Sequence, residues 1–235
     1  MSKLALSGLL AEREAMLDLM SDLSEDEWNA PSAEHCKRVR DIVAHIGFTH
    51  RLLTEAPKLP EGIDPIVLRG NWDIEAVVDE FERYTEASAA VFGRMQGLSR
   101  PRAMGDFGTH PTSELPDLYL FDMYGHLRGD LLQPYGPIER AEPERDDIRL
   151  IPVVQWMLAA QPQMCPVDDT IALELEGPAG GEHTLGPEGL PVATVRCTDH
   201  EFTLWGTQRR PWREFAKVTG DEAAATRALD AIRII

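Results

Sequence analysis

The stretch Leu118–Gly136, LYLFDMYGHLRGDLLQPYG, decides how the chain is read. It opens on an apolar run, carries a carboxylate and an imidazole four residues apart, and ends at Pro134 and Gly136. Helical spacing places Asp122 and His126 one turn apart on the same face, close enough to share a ligand. Phe121 and Met123 flank Asp122, and an unpaired carboxylate in so apolar a helix is costly. A cation would offset that cost. A second helical pattern, VRDIVAHIGFTH, carries His45. Together His45, Asp122 and His126 would make the open, three-ligand site of a catalytic divalent metal. Singly each signal is weak, because a lone helical His often has a structural role and an acid–His pair often lies at a surface.

Outward from this stretch the chain reads as helices. Residues 3–21 repeat Leu and Met at helical spacing, and Ser24 with Glu27 matches a capping box ahead of Trp28. Ala30–Cys36 reads as loop. A helix follows over Lys37–Leu53, with Val39, Ile42, Val43, Ile46 and Leu53 as its apolar stripe, stopped by Pro57 and Pro60. Residues 57–71 read as loop, and Asp73 caps a third long helix whose stripe includes Val77, Phe81, Ala87 and Phe92. Gly97–Pro116 is rich in Gly, Pro and Thr, a loop long enough to suggest a functional one. With Leu118–Gly136 as the fourth long helix, the pattern is a four-helix bundle over residues 1–140, where metal sites are built from inward-facing side chains.

At Pro137 the texture changes. GPIERAEPERDDI is charged and lacks an apolar stripe, which marks a domain boundary around Glu139–Asp147. A short helix, IRLIPVVQWMLAA, precedes four β-rich runs: IALELEG, GEHTLGP, VATVRCT and EFTLWGT, the last two separated by a turn around Asp199. Trp212–Ala216 fits a short helix and DEAAATRALDAIRII a terminal one. Residues 148–235 therefore read as a small α+β domain with a mainly antiparallel sheet, and the chain as an α+β protein of two domains.

With 235 residues there is enough chain for either one large core or two small ones. The 43% hydrophobic and 27% charged shares suit a soluble protein, and a formal net charge of −17 argues against nucleic acid as partner. That charge leaves room for an anionic small substrate, since one or two local Arg residues can hold a carboxylate. Cys36, Cys165 and Cys197 form neither a disulfide framework nor a metal-spaced set, which fits a reducing cytoplasm. The N-terminus does not read as a signal peptide, and no apolar run reaches the roughly 20 residues that span a bilayer.

The remaining polar candidates divide by context. His50 points to another side of its helix than His45. His110, in the long Gly-rich loop, could reach the site but reads first as solvated, and His35, His183 and His200 read as surface residues in loops or turns. Asp130, four residues after His126, could orient that imidazole or lie solvated near the helix end. Arg209 and Arg210, in LWGTQRRPW, follow an apolar run between tryptophans. Such a pair can clamp a carboxylate bidentately or merely solubilise a turn.

Three segments in this order resemble the mycothiol-dependent maleylpyruvate isomerase family, built on a DinB-like bundle. They are VRDIVAHI ending at His45, DMYGH from Asp122 to His126, and LWGTQRR followed by VTGDEAAATRALDAI. The resemblance covers nearly the whole chain and implies a DinB-like four-helix bundle followed by the small α+β domain. It implies a divalent metal, usually zinc, held by His45, Asp122 and His126, with a position open for a thiolate or water. It also implies mycothiol as cosubstrate, in isomerisation or S-transfer on a small-molecule electrophile, and suggests Arg209 and Arg210 as catalytic residues that hold a substrate carboxylate. Three positions depart from the family pattern: Asp122 stands where Glu is usual, Lys37 where Trp is usual, and Gln208 where a Gly precedes the Arg pair. The alternatives are a non-enzymatic small-ligand-binding protein and a thiol-independent metal hydrolase. No membrane or nucleic-acid partner is expected, and the oligomeric state stays open, a homodimer among the options.

Overall fold

The computed structural model describes residues 3–57, 69–95 and 97–235. These fall into two compact units, one of Leu6–Gly97 and Asp122–Glu144, the other of Leu98–Phe121 and Arg145–Ile235 with the first residues of the chain. The break after Glu144 lies inside the charged segment expected to join two domains. Leu98–Phe121, by contrast, groups with the terminal unit and not with the helices that precede it.

In the first unit, α1 (Lys3–Ser21), α2 (Glu25–Asn29), α3 (Val39–Glu55) and α4 (Ile74–Arg94) are joined by the end of α5 (Leu115–His126), which continues as a π-helical turn over Leu127–Leu131. The starts of these helices follow from their caps. Ser24 and Glu27 form the expected capping box of α2. Asp73 accepts from the Ala76 N–H at 2.8 Å at the head of α4. At α3, the Asp41 carboxylate accepts from the Arg38 backbone N–H and from its guanidinium, each at 2.9 Å. Burial would raise the Asp41 pKa, but Arg38 holds it below the usual carboxylate range. The expected loop over 57–71 falls mostly outside the described residues.

Helices α3 and α4 cross closely at Gly47, where an added Cβ would sit 3.0 Å from the Phe81 Cα. Beside the crossing, His50 meets the Ser88 hydroxyl and both are fully buried. Arg13 of α1 donates to Thr85 of α4 at 3.0 Å. The π-turn is tied to α1 by Arg128, whose guanidinium reaches both Glu12 oxygens at 2.6 and 2.9 Å in the core. Removing one partner of such a pair strands the other charge and costs about 3–5 kcal/mol.

In the second unit, β1 (Pro101–Ala103) and β2 (Thr109–Pro111) pair antiparallel inside the segment expected to be plain loop. Helix α6 (Asp147–Met164) runs longer than expected and keeps Pro152 and Pro162 inside it. The larger sheet has the order β4-β3-β5-β6, from β3 (Ile171–Glu176), β4 (Gly181–Leu185), β5 (Ala193–Thr198) and β6 (Lys217–Gly220). β4 and β6 pair antiparallel with their neighbours and β3 pairs parallel with β5, so the sheet is mainly antiparallel, as expected. Alternate residues Ile171, Leu173 and Leu175 of β3, and Ala193, Val195 and Cys197 of β5, are buried, the period of a half-covered sheet. The terminal helix α8 spans Glu222–Ala231.

One expected strand is a helix. EFTLWGT lies in α7 (Asp199–Gly206), because Thr198 and Glu201 make a reciprocal capping box at its start. The last strand is instead the short β6. After α7, Gln208 takes a left-handed φ of 55°, while its side chain donates to the Asp230 and Ile232 carbonyls at 3.3 and 3.0 Å. The backbone strain of about 1 kcal/mol is offset by these two tethers.

Two stability measurements check the packing of the bundle. Gly47→Ala should lower unfolding stability by about 1–3 kcal/mol in urea despite the better helix propensity of Ala, because the facing Phe81 backbone cannot yield. Burial pushes the His50 imidazole down to about 3 from 6.5, so the unfolded chain takes up a proton that the fold refuses. Stability should therefore fall as pH drops from 6.5 toward 3, and His50→Gln should flatten that fall.

Candidate metal centre

The cap at Asp41 fixes the start of α3, and one turn further on the helix presents His45. Helix α5 presents Asp122 and His126 one turn apart, as their spacing predicts. The three converge within the first unit. His45 Nε2 and His126 Nε2 each lie 3.4 Å from Asp122 Oδ1. The imidazole rings stand edge to face with centroids 5.0 Å apart, and the ligand-capable atoms all lie within 4.8 Å of one another. Asp122 Oδ2 is buried and has no hydrogen-bond partner.

Hydrogen bonding sets the tautomer of His126. Its Nδ1 lies 2.8 Å from Asp130 Oδ2, and a carboxylate only accepts, so Nδ1–H donates. In the neutral ring the Nε2 lone pair then faces Asp122, where a lone pair and a carboxylate repel unless a cation lies between them. Burial would raise the pKa of Asp122, yet the two imidazoles that face it hold it well below the usual carboxylate range. Ligands about 2.1 Å from a tetrahedral zinc stand about 3.4 Å apart. The donor set, its spacing and the orphaned Asp122 oxygen thus fit a divalent cation.

Two neighbours complete the setting. Asp130 is buried and orients His126, the first of the two roles read from its position. The π-turn that carries it begins directly after His126. Such wide turns recur at functional sites. Glu34 is the residue the sequence did not reveal. Its Oε2 lies 3.8 Å from His126 Nδ1, and its other oxygen pairs with Lys37. It is brought there by a loop hydrogen bond, Ala33 N–H to the Asp130 carbonyl at 3.0 Å, which no spacing rule announces.

The other candidates separate clearly. His50 is buried against Ser88 and His35 is exposed. His110 is not solvated: it is buried against Trp156, with Nδ1 3.1 Å from Glu114 and Nε2 2.8 Å from the Phe107 carbonyl. His200 is likewise buried, inside α7, because the capping box turns that segment inward as a helix. His183 is half-buried in β4. Arg209 and Arg210 are half-buried after α7 in the second unit, following a helix and not the strand expected there. The Arg210 N–H donates to the Leu204 carbonyl at 3.2 Å.

No protein-family model matches the chain, and no curated protein matches it. Solved structures do. A crystal structure of mycothiol-dependent maleylpyruvate isomerase aligns with a TM-score of 0.64 over 93% of this chain and 96% of that chain, at 12% identity. A crystal structure of a histidine-to-alanine mutant of mycothiol-dependent maleylpyruvate isomerase aligns with a TM-score of 0.62 over the same shares, also at 12% identity. At that identity the likeness is one of fold: the chain is an α+β protein with the fold of mycothiol-dependent maleylpyruvate isomerase.

Metal analysis of the purified protein checks the centre. One divalent ion per chain is expected, and His126→Ala should lose it while keeping the helical circular dichroism. Asp130→Asn should weaken binding by about 10- to 100-fold without abolishing it. Stoichiometric metal in His126→Ala would refute the assignment.

Proposed function

We propose that the protein is a metal-dependent enzyme that uses a low-molecular-weight thiol, mycothiol, in isomerisation or S-transfer on an activated electrophile bearing a carboxylate. The observation that carries this reading is the convergence of His45, Asp122 and His126, whose ligand-capable atoms all lie within 4.8 Å of one another. The fold likeness to mycothiol-dependent maleylpyruvate isomerase supports the choice of thiol. We take zinc as the metal, since two imidazoles and one carboxylate form its familiar catalytic set with a position left open. A reducing cytoplasm is the compartment this chemistry calls for.

A free thiol has a pKa near 8.5 and is mostly protonated at neutral pH. A divalent cation held by His45, Asp122 and His126 would supply the means to deprotonate a thiol that coordinates it. The protein's two buried thiols are poor substitutes for an external one. Burial raises the pKa of Cys165, and pushes Cys197 up to about 12 even though the Trp205 N–H donates to its sulfur at 3.4 Å. Asp130 keeps the proton of His126 on Nδ1, so that Nε2 stays a ligand atom. Arg209 and Arg210 would orient the electrophile by its carboxylate, a geometry that two adjacent guanidinium groups suit. An unsaturated keto acid is the kind of electrophile such a pair would accept.

Turnover should require thiol and metal together, and a panel of electrophiles with each withdrawn in turn measures this. Activity indifferent to thiol would identify a metal hydrolase instead. No activity at full metal occupancy would favour a ligand-binding protein. The Arg209→Ala, Arg210→Ala double variant should lose carboxylate-bearing substrates by at least about tenfold in kcat/KM while keeping its metal, the loss expected for a charged hydrogen-bonded contact.

A further inference from the structure

Behind His126, on the side away from Asp122, lies a second group of acids. Asp130 Oδ2 and Glu34 Oε2 both face Nδ1, at 2.8 and 3.8 Å. Asp130 already accepts the single proton that Nδ1 carries, so Glu34 makes no hydrogen bond there. Its Oε2 is buried with no hydrogen-bond partner. A buried acceptor left unpaired is costly unless a positive charge nearby compensates it. Lys37, paired with the other Glu34 oxygen, supplies only part of that charge.

The loop that carries both residues is built, not incidental. Pro31 and Arg38 form an isolated antiparallel bridge at its base. The Ser32 N–H and hydroxyl both donate to the Lys37 carbonyl at 2.9 Å, and the Ala33 N–H donates to the Asp130 carbonyl at 3.0 Å. The loop is thus fastened to the same π-turn that orients His126. The carboxylates of Asp122, Asp130 and Glu34 thus gather around the imidazoles of His45 and His126, with the Lys37 ammonium paired to Glu34, an excess of acid that a divalent cation would offset.

We propose that Glu34 is a positioning residue of the metal centre, backing His126 with the charge that matches a dication, and that Lys37 tempers that charge. The inference rests on the metal-centre reading above and adds two residues and a sign to it. Glu34 strengthens cation binding through His126, whereas Lys37 weakens it. A merely structural pair would behave differently, since breaking it from either side would disturb the loop in the same direction.

The test is the dissociation constant for Zn²⁺ alone, by chelator competition on the full chain at fixed pH and ionic strength. Glu34→Gln, nearly isosteric, should weaken binding about 10- to 100-fold, and Glu34→Asp should recover part of the loss. Lys37→Met should tighten binding by a few fold, about what one nearby charge contributes across a partly solvated distance. Circular dichroism confirms that each variant is folded. Binding within about twofold of wild type in Glu34→Gln, or weakening in both Glu34→Gln and Lys37→Met, would overturn the proposal while leaving the metal centre standing. Wild-type protein that takes up no stoichiometric Zn²⁺ would overturn both.

Discussion

A carboxylate held between two imidazoles inside a helical bundle is the constraint on which the site depends. Asp122 Oδ1 stands 3.4 Å from the Nε2 of both His45 and His126, and its second oxygen is buried without a hydrogen bond. A buried carboxylate oxygen in such a place is expensive unless something positive satisfies it. The bundle supplies the rigidity that keeps them apart at ligand spacing. Gly47 lets α3 approach α4 backbone to backbone, and the buried Arg128–Glu12 pair fixes the π-turn against α1. Each fastening lies within a turn or two of a histidine that the centre needs.

The same economy explains the surroundings of His126. Its Nδ1 proton is committed to Asp130, so its Nε2 faces Asp122 with its lone pair. A π-turn directly after the histidine widens the helix where Asp130 and the loop bearing Glu34 meet. Local irregularity here is tied to position: the widened turn and the loop fastened to it meet beside one imidazole.

Much of this was legible in the sequence. The helical periods of α1, α3, α4 and α5, the caps at Ser24 and Asp73 and the i, i+4 pairing of Asp122 with His126 all lie in local signals. EFTLWGT alternates apolar residues as a strand does, yet the Thr198–Glu201 capping box just before it announces α7. Glu34 was not legible, since it reaches His126 through a loop hydrogen bond between residues 97 apart in the chain. The Gly-rich context of His110 suggests exposure, whereas a two-stranded hairpin and Trp156 bury it. The brief β6, four residues long, carries too little pattern to be seen at all.

The structure and the proposed chemistry meet at one point, where we propose that His45, Asp122 and His126 hold a cation. X-ray absorption at the metal edge of the protein as purified tests this most directly. The expected spectrum shows nitrogen and oxygen neighbours at about 2.0–2.2 Å with outer-shell scattering from two imidazoles, and a new sulfur neighbour at about 2.3 Å once mycothiol is added. A protein without metal, or a metal shell that lacks imidazole scattering, would contradict the assignment of the centre; a shell unchanged by thiol would contradict its use of one.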